Sequence, residues 1–241
     1  MTPPLSIILV RPQLGENIGL AARAMGNFDI KDLRIVSPRD AWPNPSALSA
    51  SVGAHPIIEN AATFTSLEEA IKDLSWVFGA TARLRYIKKT AYDIKEAASF
   101  STSLFPQKVG VVFGPEQTGL TNEEVSFCHA VLSIPTSPSL SSLNLAHAVL
   151  LCVYEFSQRN LTPHPTSPTL LATHEEVFSL LSFLEMSLEK KGFFFPEEKK
   201  EKMKQNLRDI FLRTPLSVDD TNTLFGALKV LQKNVDKSSF S

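Results

Sequence analysis

A chain of 241 residues with 43% hydrophobic content and a mean hydropathy near zero can bury a substantial core, enough for one medium domain and a small appendage. Its longest apolar runs, at 7–10, 109–113 and 148–153, fall far short of the roughly 18 to 20 residues of a membrane span. A net charge of −1 excludes a protein that holds nucleic acid by overall positive charge, and leaves room only for a local basic strip.

The opening Met1-Thr2-Pro3-Pro4 carries neither a basic segment ahead of an apolar one nor a small-residue cleavage site, so the cytoplasm is the expected compartment. Short β-branched runs then alternate with helical patterns. Strands are expected at 6–10, 33–36, 76–80, 109–113 and 131–134, each apolar enough to lie in a parallel sheet covered on both faces. Helices are expected at 18–28, 67–73, 94–100, 122–128 and 143–158. Ser66 with Glu69 and Thr121 with Glu124 have capping-box spacing. Cys128 and Cys152 sit in apolar contexts and suit buried reduced thiols. With five scattered His and no paired ligand spacing, no metal site is expected.

Residues 160–169 contain three prolines and no apolar period, which reads as an extended connector between a first domain, 1–160, and a helical extension, 170–241. In the extension, Thr173 and Glu176 open a helix carrying Val177, Leu180, Leu181, Leu184 and Leu188 as far as Gly192. Pro196 begins a second with Met203, Leu207, Ile210 and Phe211, and Ser217 with Asp220 begins a third through Leu224, Leu228 and Leu231. Three short helices make too small a core alone, so this piece is expected to pack on the first domain or on a partner subunit.

Three segments place small or polar residues after a strand, at the sheet end where open α/β folds bind ligands. The first runs from Gly15 to Met25 and holds Asn17, Gly19 and Arg23. If the helix starts near Ile18, Asn17 is its cap and Arg23 faces outward. The glycines suggest a phosphate loop but match neither GxGxxG nor the Walker spacing. The second is Phe113-Gly114-Pro115-Glu116-Gln117-Thr118-Gly119-Leu120, where glycines permit a turn and Glu116 is an acid in a crowded loop. The third runs from Ile134 to Ala146 with Ser141, Ser142, Leu143 and Asn144. A serine cap on the following helix explains one hydroxyl but not the pair plus Asn144.

In this order and at these separations, the three segments resemble the motifs of the SPOUT class of RNA 2′-O-methyltransferases. The helical tail, with Gly192-Phe-Phe-Phe195 and Leu224 to Leu231, resembles the extension of the members that methylate nucleotide 32 of tRNA. The resemblance implies a parallel α/β sheet with a trefoil knot, a fold that general rules of chain connection would not suggest. It implies S-adenosylmethionine as cofactor, held by Ala80, Thr81, Ala82, Gly114, Ile134, Ser141, Ser142 and Leu143. It also implies a homodimer whose active site is completed across the interface, a tRNA substrate and no membrane.

The resemblance further places Arg23 near the reacting 2′-hydroxyl, assisted by an RNA phosphate. An arginine stays protonated, which suits an anchor for phosphate and developing oxyanion better than a base. Asn17, Glu116 and Asn144 would fix geometry, with Ser142 or its neighbour near the reacting groups. Arg23, Arg83, Arg85, Lys88 and Lys89 are the candidate RNA contacts, although from composition alone residues 83–89 also read as a solvated loop. Pro115 and Gln117 stand where relatives commonly carry Arg, which removes charges without touching the cofactor pocket. His55, His129 and His147 read as packing or interface histidines rather than catalysts. Alternatives are a ribose methyltransferase for rRNA or another tRNA position, and a catalytically silent RNA-binding or ribosome-assembly protein.

Overall fold

The computed structural model describes residues 4–82, 89–158 and 170–238. Among them are seven strands: β1 (Leu5–Val10), β2 (Asp32–Val36), β3 (Ala62–Phe64), β4 (Trp76–Ala80), β5 (Ala91–Asp93), β6 (Val109–Phe113) and β7 (Ala130–Ser133). They form one all-parallel sheet in the order β3-β2-β1-β6-β4-β7-β5. The chain builds outward from β1 to β3, then returns to add β6, β4, β7 and β5 on the other side. The reversal of direction lies between β1 and β6, the usual ligand crevice of such sheets.

Alternation along the strands divides the core. Ile7, Leu9, Leu33, Ile35, Phe78 and Val111 face one side, packed with α1 (Gly15–Asn27), α3 (His55–Glu59), α5 (Ile94–Ser103) and α7 (Leu145–Ser157). The short α2 (Pro45–Ala50) packs closely on α1 on that side. Ile8, Val10, Val36, Val77 and Val112 face the other, where α4 (Leu67–Ile71) and α6 (Asn122–Ser126) have only five residues each. Cys128 belongs to this second cluster and Cys152 to the first, so the sheet separates the two thiols.

The tail covers what α4 and α6 leave open. Helix α8 (His174–Glu189) begins where α4 ends: the His174 and Glu175 amides donate to the carbonyls of Leu74 (2.9 Å) and Lys72 (3.0 Å). Free donors of one helix start thereby meet free acceptors at another helix end. Phe178 packs both on the second face and in the tail's own cluster of Ala172, Val177, Leu181 and Leu212. Helices α9 (Lys200–Arg213) and α10 (Val218–Ser238) complete the extension.

Several local expectations need correction. Helix α1 starts at Gly15 after Leu14, so Asn17 is a buried first-turn residue and not a cap. The cap of α7 is Asn144, whose side chain accepts from the amides of Ala146 and His147; neither serine caps it. Gly15 and Gly19 do not cradle a phosphate. A Cβ on Gly19 would stand 2.3 Å from the Ala47 carbonyl oxygen, and one on Gly15 2.3 Å from Asn44 Oδ1, so these glycines let α1 and α2 touch. At Ser66 only half of the box forms, because Glu69 accepts from Thr65 instead of the cap backbone.

Opposite the candidate site, Arg34 is buried between Asp32 and Asp73, and Lys108 also pairs with Asp73. Burial works against the Asp73 carboxylate, yet Arg34 and Lys108 hold its pKa well below the usual range.

Candidate active site

A cleft of about 310 Å³ opens at the carboxyl ends of β4, β6 and β7. Ala80, Thr81 and Ala82 form one wall, and Gly114 and its loop to Leu120 another. Ile134, Ser141, Ser142 and Leu143 close the third. All eight residues anticipated for a cofactor therefore meet in one place. Leu132, Leu145 and Val125 give the cleft an apolar floor, and exposed backbone of three loops surrounds it, the usual make-up of a small-molecule site of this size.

The 114–120 loop is held closed by its own backbone. The Gly119 amide donates to the Pro115 carbonyl at 2.8 Å, and Gly119 has φ +66°, which favours glycine. A Cβ on Gly114 would lie 2.3 Å from the Leu120 nitrogen, so this position is closed to any side chain. Pro115, buried inside that turn, and Gln117, exposed at its edge, both line the cleft, so contrary to expectation these two departures do touch the pocket.

Beside the cleft, at the β1/β6 crevice, the three motif segments are joined by hydrogen bonds. Glu116 accepts from the amides of Gln13 (3.0 Å) and Leu14 (3.3 Å) and from Asn17 Nδ2 (2.8 Å). Asn17 Oδ1 accepts from Asn144 Nδ2 at 2.9 Å. Asn144 Oδ1 in turn caps α7. An acceptor-only carboxylate at one end and a helix N-terminus at the other fix both amides in one orientation. The Gln13 and Leu14 amides escaped the sequence reading, since a backbone donor has no residue signature. Arg11, with φ 46°, makes a forked ion pair with Glu124 just behind this network.

The structure does not bring every candidate together. Arg23 is exposed on α1, lies outside the cleft lining, and has no hydrogen bond or ion pair among the described residues. Lys89 does not belong to a basic RNA-binding strip: its side chain is 2% exposed and its Nζ lies 3.0 Å from Asp209 of α9. Burial lowers its pKa, opposed by Asp209. Arg83, Arg85 and Lys88 lie outside the described residues. His129 is buried, while His55 and His147 are exposed. No group of His, Cys, Asp or Glu suited to a metal occurs among the described residues.

The sequence profile of the SpoU rRNA methylase family matches residues 4–154, which include all three loops of the cleft. The chain belongs to this family. It is a methyltransferase with the SPOUT fold. Among curated SpoU relatives it is similar to the tRNA (cytidine/uridine-2′-O-)-methyltransferase TrmJ of Pectobacterium atrosepticum, at 33% identity over 98% of this chain and 100% of that one. It is also similar to the tRNA (cytidine/uridine/adenosine-2′-O-)-methyltransferase TrmJ of Pseudomonas aeruginosa, at 34% identity over 97% and 95%. Among solved structures, TrmJ from Z. mobilis ZM4 superposes with a TM-score of 0.88 at 39% identity, covering 96% of this chain and 100% of that chain.

Proposed function

We propose that this SpoU-family chain is an S-adenosylmethionine-dependent tRNA ribose 2′-O-methyltransferase acting on cytidine or uridine at nucleotide 32 of the anticodon loop. The observation that carries the reading is the Glu116–Asn17–Asn144 network beside a cleft of cofactor size. The substrate class follows from relatives alike over nearly their whole length.

The cleft fits the cofactor on its own chemistry: an apolar floor for a purine, backbone groups of Ala80–Ala82, Gly114, Ile134 and Leu143 for its polar edges, and serine hydroxyls at the mouth. When bound, S-adenosylmethionine supplies a methyl group already made electrophilic by its sulfonium, so the residues need only position a ribose hydroxyl. Proximity of this kind is worth up to roughly 7 to 11 kcal/mol. Asn17, Glu116 and Asn144 hold the walls in register, and in this reading Ser142, which lines the cleft, contacts the reacting groups. We read the chain between Phe113 and Leu145 as the trefoil knot, with 1–160 as the methyltransferase domain, 161–169 as a linker and 170–241 as its extension.

Arg23 stands off the cleft of its own chain, so this reading calls for a homodimer in which a second copy presents its Arg23. Two neighbouring helices supply a surface for it. Glu16, Leu20 and Arg23 form an outward stripe on α1, and His147, Leu150, Leu151 and Tyr154 one on α7, at helical spacing and largely apolar. Arg23 then anchors RNA phosphate and the charge developing on the 2′-oxygen, with Arg83, Arg85 and Lys88 as further RNA contacts and the cytoplasm as the compartment.

The test is methylation of tRNA transcripts with ribose-methyl mapping. Transfer at nucleotide 32 is expected. Transfer only to rRNA or another tRNA position would favour the sister activity, and cofactor binding without transfer to any RNA would favour a silent binder. Mixing Arg23→Ala with Gly114→Trp, each inactive alone, should restore about a quarter of wild-type activity if sites are shared across a two-fold dimer. No restoration would remove the shared site.

A further inference from the structure

Helix α6 stands between the cleft and the tail. On one side Asn122 and Val125 line the cleft, and Glu124 holds Arg11 in the β1–α1 connection. On the other, its last residues meet α9. The Ser126 carbonyl accepts from Lys89 Nζ at 3.1 Å, and Asp209 neutralises that ammonium. Ser126 Oγ accepts from Arg208 at 3.1 Å. The Arg208 guanidinium lies 4.3 Å from the Phe127 ring centroid, and that ring stacks on Phe178 of α8 at 5.5 Å.

A helix of five residues has no stability of its own, and its last carbonyls need donors from elsewhere. Here Lys89 donates to the Ser126 carbonyl while Arg208 donates to the Ser126 hydroxyl beside it, and Lys89 is tolerable as a buried charge only while Asp209 faces it. The contact set is small, charged and directed at one helix end.

We infer that Lys89, Arg208 and Asp209 are positioning residues through which the C-terminal helices fix α6, and with it the Asn122–Val125 wall of the cofactor cleft in the same chain. The inference rests on the reading of that cleft as the S-adenosylmethionine site. The tail thereby tunes cofactor affinity without touching cofactor.

Arg208→Ala, Asp209→Asn and the charge-free pair Lys89→Met with Asp209→Leu test it in the full-length protein; the pair guards against a variant that merely fails to fold. Hydrogen exchange without ligand should accelerate on the order of tenfold at amides 122–127 while β1 and α1 keep their protection. Calorimetry should find the dissociation constant for S-adenosylmethionine raised on the order of tenfold, with kcat at saturating cofactor changed less than about twofold. Arg208→Lys should rescue partly, keeping the charge at Ser126 but not the planar cover over Phe127. Unchanged exchange at 122–127 in a folded variant overturns the inference, as does an increase spread evenly over the chain. Should the wild-type protein bind no S-adenosylmethionine, the reading of the cleft fails, and the exchange experiment still decides whether the tail holds α6.

Discussion

Asn17 donates to Glu116 at 2.8 Å and accepts from Asn144 at 2.9 Å, so one buried amide links the loops after β1, β6 and β7. The link has a direction, running from the carboxylate to the start of α7. Changing Asn17→Asp sets a second carboxylate against Glu116 and should cost about 1 to 3 kcal/mol of stability, with a matching loss of cofactor affinity. Adding Glu116→Gln restores a donor facing the new acid and should recover more than half of both losses. A double-mutant cycle by thermal denaturation and calorimetry checks this. Purely additive effects would show that the two side chains do not act as a pair.

Arg23→Ala should leave stability within about 0.5 kcal/mol of wild type, because the side chain has no hydrogen bond or ion pair among the described residues. Single-turnover methylation of tRNA should nevertheless slow on the order of a hundredfold, with cofactor affinity unchanged. Arg23→Lys should rescue little, since an ammonium lacks the planar fork that grips phosphate. A normal single-turnover rate would confine Arg23 to the surface.

Two glycines should fail for different reasons. Gly19→Ala puts a methyl group 2.3 Å from the Ala47 carbonyl oxygen and should cost about 1 to 3 kcal/mol by forcing α1 from α2. Gly119→Ala meets nothing within 4 Å, but its φ of +66° should still cost about 1 to 2 kcal/mol. Urea denaturation measures both losses. Only Gly119→Ala should also weaken cofactor binding, because only Gly119 lines the cleft.

Acid should loosen the join between sheet and tail. His129 Nδ1 accepts from the Val77 amide, and a ring N–H of His174 donates to the Phe127 carbonyl. Burial lowers the pKa of both rings. His174 and Lys89 add to the effect on His129, and Lys89 and Arg208 add to it on His174, which reaches about 3. Below about 6.5 the unfolded chain therefore binds protons that the folded one refuses, so stability falls as pH falls, by up to about 1.4 kcal/mol per unit for each histidine. Melting temperatures between pH 7 and 4.5 should decline, and more gently in His174→Phe. Equal slopes would place the sensitivity elsewhere.

The five long strands were legible because each is an apolar run flanked by turn residues. β3 and β5 were not, since three-residue edge strands leave no period to read. Helix α2 did carry a signal in Asn44 before Pro45, a side-chain cap followed by a favoured first-turn residue. The spacing of Gly15 and Gly19 is that of one helix face, and it explains a close neighbour better than a phosphate. Lys89 was misread because it ends a basic run, and its acid partner lies 120 positions later on α9. The cleft residues were found by resemblance to a family; residue chemistry alone gave three strand-end loops and no reason to join them.

The short α4 and α6 leave the second side of the sheet dependent on Phe178 and the start of α8. The stretch that carries the methyltransferase motifs therefore shares part of its packing with the tail beyond residue 154, where the family profile ends. Heat or denaturant should melt sheet and tail in one cooperative step. A version trimmed after the profile should lose the Phe178 cover over this face and gain a tendency to self-associate, which makes the full-length chain the better starting point for inhibitor discovery or engineering.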